Sequence, residues 1–321
     1  MTISDDRARW FADTFRSLCD NVELAVLGKR HVVELAFTAM IAEGHLLLED
    51  VPGTGKTLLA RAIARALGLS TARVQGTPDL LPGDVTGSSL FEGGTLRFVE
   101  GPVFTHVLLV DEINRATPRT QAALLEAMQE RQVSIEGVTR PLPDLFIVLA
   151  TQNPVEFEGT FALPQAQLDR FILRAGLGYP TEAHERTIAR RYQALAEPLE
   201  SIGPVTDGPA LIALRDEVRQ VRVSDEVEAY IVALVRATRD HADLELGASP
   251  RSTVALYRAS QAAAVLAGRA FVLPDDVKGL VRPVLAHRLV VDLDRSLRGV
   301  STASILDAIL ERVPVPPLPA D

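Results

Sequence analysis

The stretch LLLEDVPGTGKTLLARAIA, Leu46–Ala64, decides the fold. An apolar run ends in Glu49-Asp50, a turn rich in glycine follows, and Lys56-Thr57 open a leucine- and alanine-rich helical segment. A loop that holds a polyphosphate needs successive backbone N–H groups turned inward, in conformations that glycine tolerates best. Gly53 and Gly55 meet that need. Lys56 has the reach for β- and γ-phosphates, Thr57 has a hydroxyl for Mg²⁺, and a helix starting here aims its N-terminal amides at the anion. The expected nucleotide contacts are Pro52, Gly53, Thr54, Gly55, Lys56, Thr57 and Leu58. The strict pattern G-x-x-x-x-G-K-[ST] has glycine where this chain has Asp50. Position 50 falls where the strand ends, ahead of the amides that face an anion. Its carboxylate is therefore expected to point away. The competing reading is a glycine-rich turn that merely precedes a helix.

Outward from this stretch, HLLLED (45–50), TARVQG (71–76), HVLLVD (106–111), LFIVLAT (145–151) and FILRAGL (171–177) are short apolar runs. Helical stretches separate several of them, and buried strands with helical crossovers imply a parallel sheet covered on both faces. Two segments break the rhythm. Residues 88–104, turning at Glu92-Gly93-Gly94, and residues 131–142, turning at Glu136-Gly137, read as β-hairpins. Thr117-Pro118 fits an N-cap and first helical position, with Leu124, Leu125 and Met128 as the buried stripe. After Pro180 the strand signals stop and helical patterns take over. The expected division is an α/β core over 1–196, a proline- and glycine-bearing linker over 197–209 and an all-helical domain over 210–321. The proline-rich end, VPVPPLPAD, reads as an extended solvated tail.

The chain has 321 residues, 47% of them hydrophobic, which suffices for two packed cores. Its net charge of −9 argues against broad nucleic-acid binding. Cys19 is the only cysteine, so there is neither an internal disulfide nor a cysteine-rich zinc site. The six histidines show no metal-ligand spacing. The first residues lack the layout of a signal peptide, and no apolar run nears the roughly 20 residues of a membrane span. The expectation is a cytoplasmic protein without membrane insertion.

Two further motifs belong to the same sheet. In HVLLVDEINRA an apolar strand ends in Asp111-Glu112. Asp111 suits the Mg²⁺ shell beside Thr57, and Glu112 is placed to polarise a water for in-line attack on the γ-phosphate. In LFIVLATQNP a buried strand ends in Thr151-Gln152-Asn153. Asn153 is expected to hold that water or to sense the γ-phosphate, against the plainer reading of a turn residue before proline.

The succession LLLEDVPGTGKT, VLLVDEINRA, LATQNP, LPQAQLDRF and GASPRS resembles the MoxR family of AAA+ ATPases over nearly the whole chain. The resemblance implies a five-stranded parallel core with two hairpin insertions and a smaller all-α lid. It also implies ATP and Mg²⁺ as ligands. AVLGKRHVVE (25–34) resembles the segment that wraps the adenine side. Arg170 aligns with an arginine finger that enters a neighbouring subunit's site, and Arg251 with the sensor-2 arginine. A cation in the first turn of a helix opposes the helix dipole, a small penalty that makes sense if Arg251 answers a phosphate. The family further implies a homo-oligomeric ring, expected to be a hexamer, that remodels protein clients with a von Willebrand factor A-domain partner. Three alternatives stand beside it: a nucleic-acid motor, a nucleotide-dependent scaffold with slow turnover, and a small-molecule kinase. The hairpins carry mixed charges rather than a basic groove with stacking aromatics, which disfavours the first.

Overall fold

The structure, a computed structural model, describes residues 3–51, 53–92, 94–153, 160–193 and 197–317. The chain begins with α1 (Asp5–Glu23), α2 (Arg30–Ile41), β1 (Leu46–Glu49), α3 (Lys56–Ala66), β2 (Thr71–Gln75), α4 (Pro82–Thr86), β3 (Gly87–Glu92) and β4 (Thr95–Glu100). It continues with β5 (Val107–Asp111), α5 (Pro118–Glu130), β6 (Gln132–Ile135), β7 (Val138–Pro141), β8 (Ile147–Gln152), α6 (Gln165–Leu168), β9 (Leu173–Ala175) and α7 (Glu182–Gln193).

The five apolar runs form one parallel sheet in the order β2-β5-β8-β1-β9. Leu46–Leu48 and Val107–Val110 are buried throughout, as strands covered on both faces must be. Parallel strands end on the same side. Asp111-Glu112, Gln152-Asn153 and Glu49-Asp50 therefore emerge next to one another from adjacent strands, at the place where open α/β sheets hold ligands.

Both hairpins form, as β3–β4 and β6–β7. In the first, Gly94 has φ 88°; Gly93 of the expected turn lies outside the described residues. In the second, Glu136 (φ 52°) and Gly137 (φ 77°) are both left-handed, the geometry that matches the twist of a two-residue hairpin. α5 begins as expected: the Thr117 hydroxyl accepts the Thr120 N–H and Pro118 follows it.

The segment read as a linker is packed. Residues Pro198–Ser201 form a 3₁₀ turn, Leu199 and Ile202 are buried, and the Val205 N–H donates to the Ala66 carbonyl at the end of α3. α8 (Gly208–Val218), α9 (Asp225–Arg239), α10 (Pro250–Leu266), α11 (Pro274–Leu285), α12 (Leu293–Leu297) and α13 (Thr302–Arg312) complete the helical domain. The expectation that strands stop after Pro180 needs one correction. β10 (Leu244–Leu246) and β11 (Val290–Val291) pair as an antiparallel ribbon, too short to show an alternating pattern.

The two domains share one apolar cluster. It runs from Phe11 of α1 and Phe37 of α2 to Leu256 of α10 and Val281 of α11. Charges stitch the seam. Glu43, after α2, receives Arg215 at 3.2 Å, Arg219 at 2.7 Å and Arg258 at 2.8 Å from the helical domain, and Arg7 meets Glu217 at 2.9 Å. No described helix is long and apolar enough to cross a membrane.

Candidate functional site

Between β1 and α3 the chain turns through Gly53 (φ 81°) and Gly55 (φ 94°). Nothing lies within 4 Å of where either Cβ would be, so conformation rather than crowding calls for glycine here. Pro52 lies outside the described residues. The Lys56 ammonium folds back onto its own loop, donating to the carbonyls of Asp50 (2.9 Å) and Val51 (3.0 Å).

The two carboxylates ahead of the loop face away from it. Asp50 accepts the Val51 N–H at 2.8 Å and the Gly178 N–H at 2.6 Å. Glu49 accepts Arg174 at 2.8 Å and the Gln152 amide at 2.6 Å. The expected orientation of Asp50 is the one observed.

A cleft of about 400 Å³ opens over Lys56, Thr57, Asp111, Glu112, Thr151 and Asn153. Asp111, 6% exposed, accepts the Thr57 hydroxyl at 3.3 Å and Arg73 at 2.7 Å on Oδ2, and the Thr151 hydroxyl at 3.4 Å on Oδ1. A hydroxyl and a carboxylate side by side are the hard oxygen ligands that suit Mg²⁺, which completes its shell with phosphate and water. Glu112 takes a left-handed backbone (φ 54°), and its N–H donates to Thr151 Oγ1 at 2.9 Å. Its carboxylate receives Gln75 and Arg115, each at 3.0 Å. Gly76 makes the turn possible: a Cβ there would sit 2.2 Å from the Glu112 carbonyl oxygen.

Arg73 and Gln75 are site residues that the sequence reading missed. Their signal was two polar residues alternating on a strand expected to be buried. What hid their role was strand order: Gln75 stands opposite Asp111 only because β2 pairs with β5.

On the other side of the loop lies an apolar cavity of about 410 Å³, lined by Ala25, Val26, Leu27, Leu58, Pro180 and Ile188 with Gly53–Gly55 at its mouth. Part of the segment expected to wrap a base, residues 25–27 and Lys29, lines this cavity. Lys29 fixes the opposite wall, donating to the carbonyls of Leu177 (2.6 Å), Gly178 (3.0 Å) and Tyr179 (2.9 Å).

Arg170 and Arg251 are not at this loop. They line a separate cleft of about 360 Å³ at the seam between the domains, together with Glu43, Met128, Asp169 and Arg258. Arg170 Nη1 donates to the Leu125 carbonyl at 2.6 Å, and its buried Nε has no hydrogen-bond partner among the described residues. Arg251 is exposed in the first turn of α10. Ser249, the N-cap of that helix, does not cap it with its side chain; its hydroxyl donates to Asp169 Oδ2 at 3.2 Å.

The model of the ATPase family associated with various cellular activities (AAA) matches residues 45–173, and that of the AAA lid domain matches residues 236–309. Among similar proteins, the uncharacterized protein YeaC of Bacillus subtilis is 44% identical over 92% of this chain and 93% of its own. Chaperone MoxR1 of Mycobacterium tuberculosis is 38% identical over 92% and 80%, and protein MoxR of Paracoccus denitrificans 34% identical over 98% of each. A crystal structure from Cytophaga hutchinsonii superposes with a TM-score of 0.91 at 34% identity, covering 97% of this chain and 98% of that one.

Proposed function

From the premise that this chain belongs to the MoxR-related family of AAA+ ATPases, we propose that it hydrolyses ATP in a homo-oligomeric ring, each site being completed by the neighbouring copy. One observation carries the proposal. Arg170 and Arg251 share a cleft apart from the chain's own phosphate loop, a placement that supports a role at another copy's nucleotide.

In this reading the base enters the apolar cavity beside Val26 and Leu58, and the phosphates follow the turn at Gly53–Gly55. Lys56 leaves the carbonyls of Asp50 and Val51 for the phosphate oxygens. Thr57 and Asp111 would hold Mg²⁺, which would supply positive charge to offset that of the phosphates. Glu112 exchanges its contacts with Gln75 and Arg115 for a water held by Asn153, and takes that water's proton. The water oxygen bonds to the γ-phosphorus as the bond to the β-phosphate oxygen breaks, giving ADP and phosphate. The neighbour's Arg170 neutralises charge on the transferring group, an effect worth roughly 10³–10⁵ in rate for fingers elsewhere.

The division into a 1–196 core, a 197–209 connection and a 210–321 lid belongs to the same proposal, as do a six-membered ring, a von Willebrand factor A-domain partner and work on protein clients. One relative is described as a chaperone, which supports the last. The basic residues of the hairpins are engaged: Arg97 meets Glu92 at 3.7 Å, and Arg140 stacks 3.9 Å over Phe98. Their mixed pairing disfavours a phosphate track along the hairpins. The test is the specific ATPase rate against protein concentration, with assembly followed by light scattering. A rate that rises with assembly and is lost in Arg170→Ala supports the shared site. A monomer as active as the oligomer overturns it.

A further inference from the structure

Arg170 and Arg251 line the seam cleft from different domains, Arg170 between α6 and β9 and Arg251 at the start of α10. Both would have to reach one neighbouring nucleotide. Something must fix the distance between them.

The geometry points to Asp169 as the residue that locks Arg170 and Arg251 into a single unit. Asp169 directly precedes Arg170. Its Oδ1 accepts Arg288 Nε at 2.7 Å, and its Oδ2 accepts the hydroxyl of Ser249, two residues before Arg251, at 3.2 Å. One carboxylate thus touches both the N-cap of the helix that carries Arg251 and the helical domain's Arg288.

Arg288 extends the grip to the backbone around Arg170. It donates to the carbonyls of Asp169 (3.3 Å), Phe171 (2.8 Å) and Ile172 (3.2 Å). His287 adds Nε2 to the Phe171 carbonyl at 2.9 Å, and Gln165 donates to the His287 carbonyl at 2.9 Å. The Arg288 side chain is 4% exposed and that of Asp169 16%. Charges this far from water hold only if paired and fully hydrogen-bonded, which makes the arrangement specific rather than adjustable. The guanidinium of Arg170 itself has one donor engaged, on the Leu125 carbonyl, and its Nε unpartnered among the described residues. The backbone is clamped while the functional end is loosely held.

Asp169 is therefore a positioning residue and does not touch nucleotide. The inference rests on the reading of Arg170 as a finger acting in trans. The experiment separates the two by mixing variants. Glu112→Gln subunits cannot turn over but present intact arginines. Asp169→Ala subunits keep an intact phosphate loop but present a misplaced pair. Asp169→Ala alone should lose about ten- to a hundredfold in turnover, as slight misplacement does, with nucleotide affinity unchanged. Mixed with Glu112→Gln, it should exceed the sum of the separate rates several-fold. Asp169→Asn can still accept from Arg288 through its one carbonyl oxygen, but it removes the charge that pairs the buried guanidinium, so it should restore only part of the activity.

The control is Arg170→Ala mixed with Glu112→Gln. If the control recovers activity and the Asp169→Ala mixture does not, the positioning role is overturned while the finger stands. If the control also fails, the finger reading itself falls. Should Asp169→Ala not fold, Ser249→Ala enters the same assay. A partial loss that mixing recovers supports the link, and a wild-type rate in Ser249→Ala overturns it.

Discussion

The carboxylate of Asp50 reaches across from the phosphate loop to the backbone N–H of Gly178, 2.6 Å away, on the segment that continues β9. An acid directly before a polyphosphate site thus spends its charge on a structural contact. Its effect on an anion is correspondingly small. Asp50→Gly should change ATP affinity by less than about threefold, whereas Lys56→Ala should lose ~100-fold or more. Titration with a fluorescent nucleotide reads both. A large gain of affinity in Asp50→Gly would show that the carboxylate repels phosphate after all.

Glu112 sits between Gln75 and Arg115, and its N–H is fixed by Thr151. Glu112→Gln keeps a side chain of the same shape and removes the base. We expect nucleotide binding to persist and steady-state phosphate release to fall by ~100-fold or more. Phosphate release at the wild-type rate would remove Glu112 from its role.

Arg73 holds the same Asp111 oxygen that faces Thr57. A cation there competes with a divalent ion for the carboxylate. The Arg73 side chain is 55% exposed, so solvent weakens the pair to about 1 kcal/mol at most. Arg73→Ala should lower the Mg²⁺ concentration for half-maximal nucleotide binding by about two- to fivefold. The readout is fluorescent-nucleotide binding across a Mg²⁺ series; an unchanged midpoint counts against the competition.

Acid should loosen the core. His45 accepts the Val148 N–H on Nδ1 (3.0 Å) and bonds the Met128 carbonyl through Nε2 (3.0 Å). Burial pushes its pKa down to about 4 from 6.5. His287 shifts the same way, again mainly through burial. The folded state keeps both rings neutral while the unfolded chain protonates them. Their stabilisation is complete above pH 6.5 and is lost as pH falls toward 4, about 3 kcal/mol for His45 alone. Thermal unfolding between pH 7.5 and 4.5 checks this, and His45→Gln should flatten the slope.

The sheet was readable because each strand is a compact apolar run bounded by turn residues, and the loop because Gly53, Gly55, Lys56 and Thr57 are contiguous. The helix start at Thr117-Pro118 was visible for the same reason. What stayed hidden depends on partners distant in sequence. The roles of Arg73 and Gln75 follow from β2 lying beside β5, and that of Asp169 from Arg288 folding back on it. Residues 197–209 look like a linker because prolines and glycines mark irregular backbone, and irregular backbone can still be packed.

The shared apolar cluster has a mechanical meaning. Domains in one chain move against each other by default unless their interface is extensive and apolar. Here Phe11, Phe37, Leu256 and Val281 belong to one cluster, and the Glu43 arginines close its rim. In the proposed ring each copy would then be a stiff lever with its fulcrum outside itself. There, the work of nucleotide turnover on a client would be delivered as a change of angle between adjacent copies.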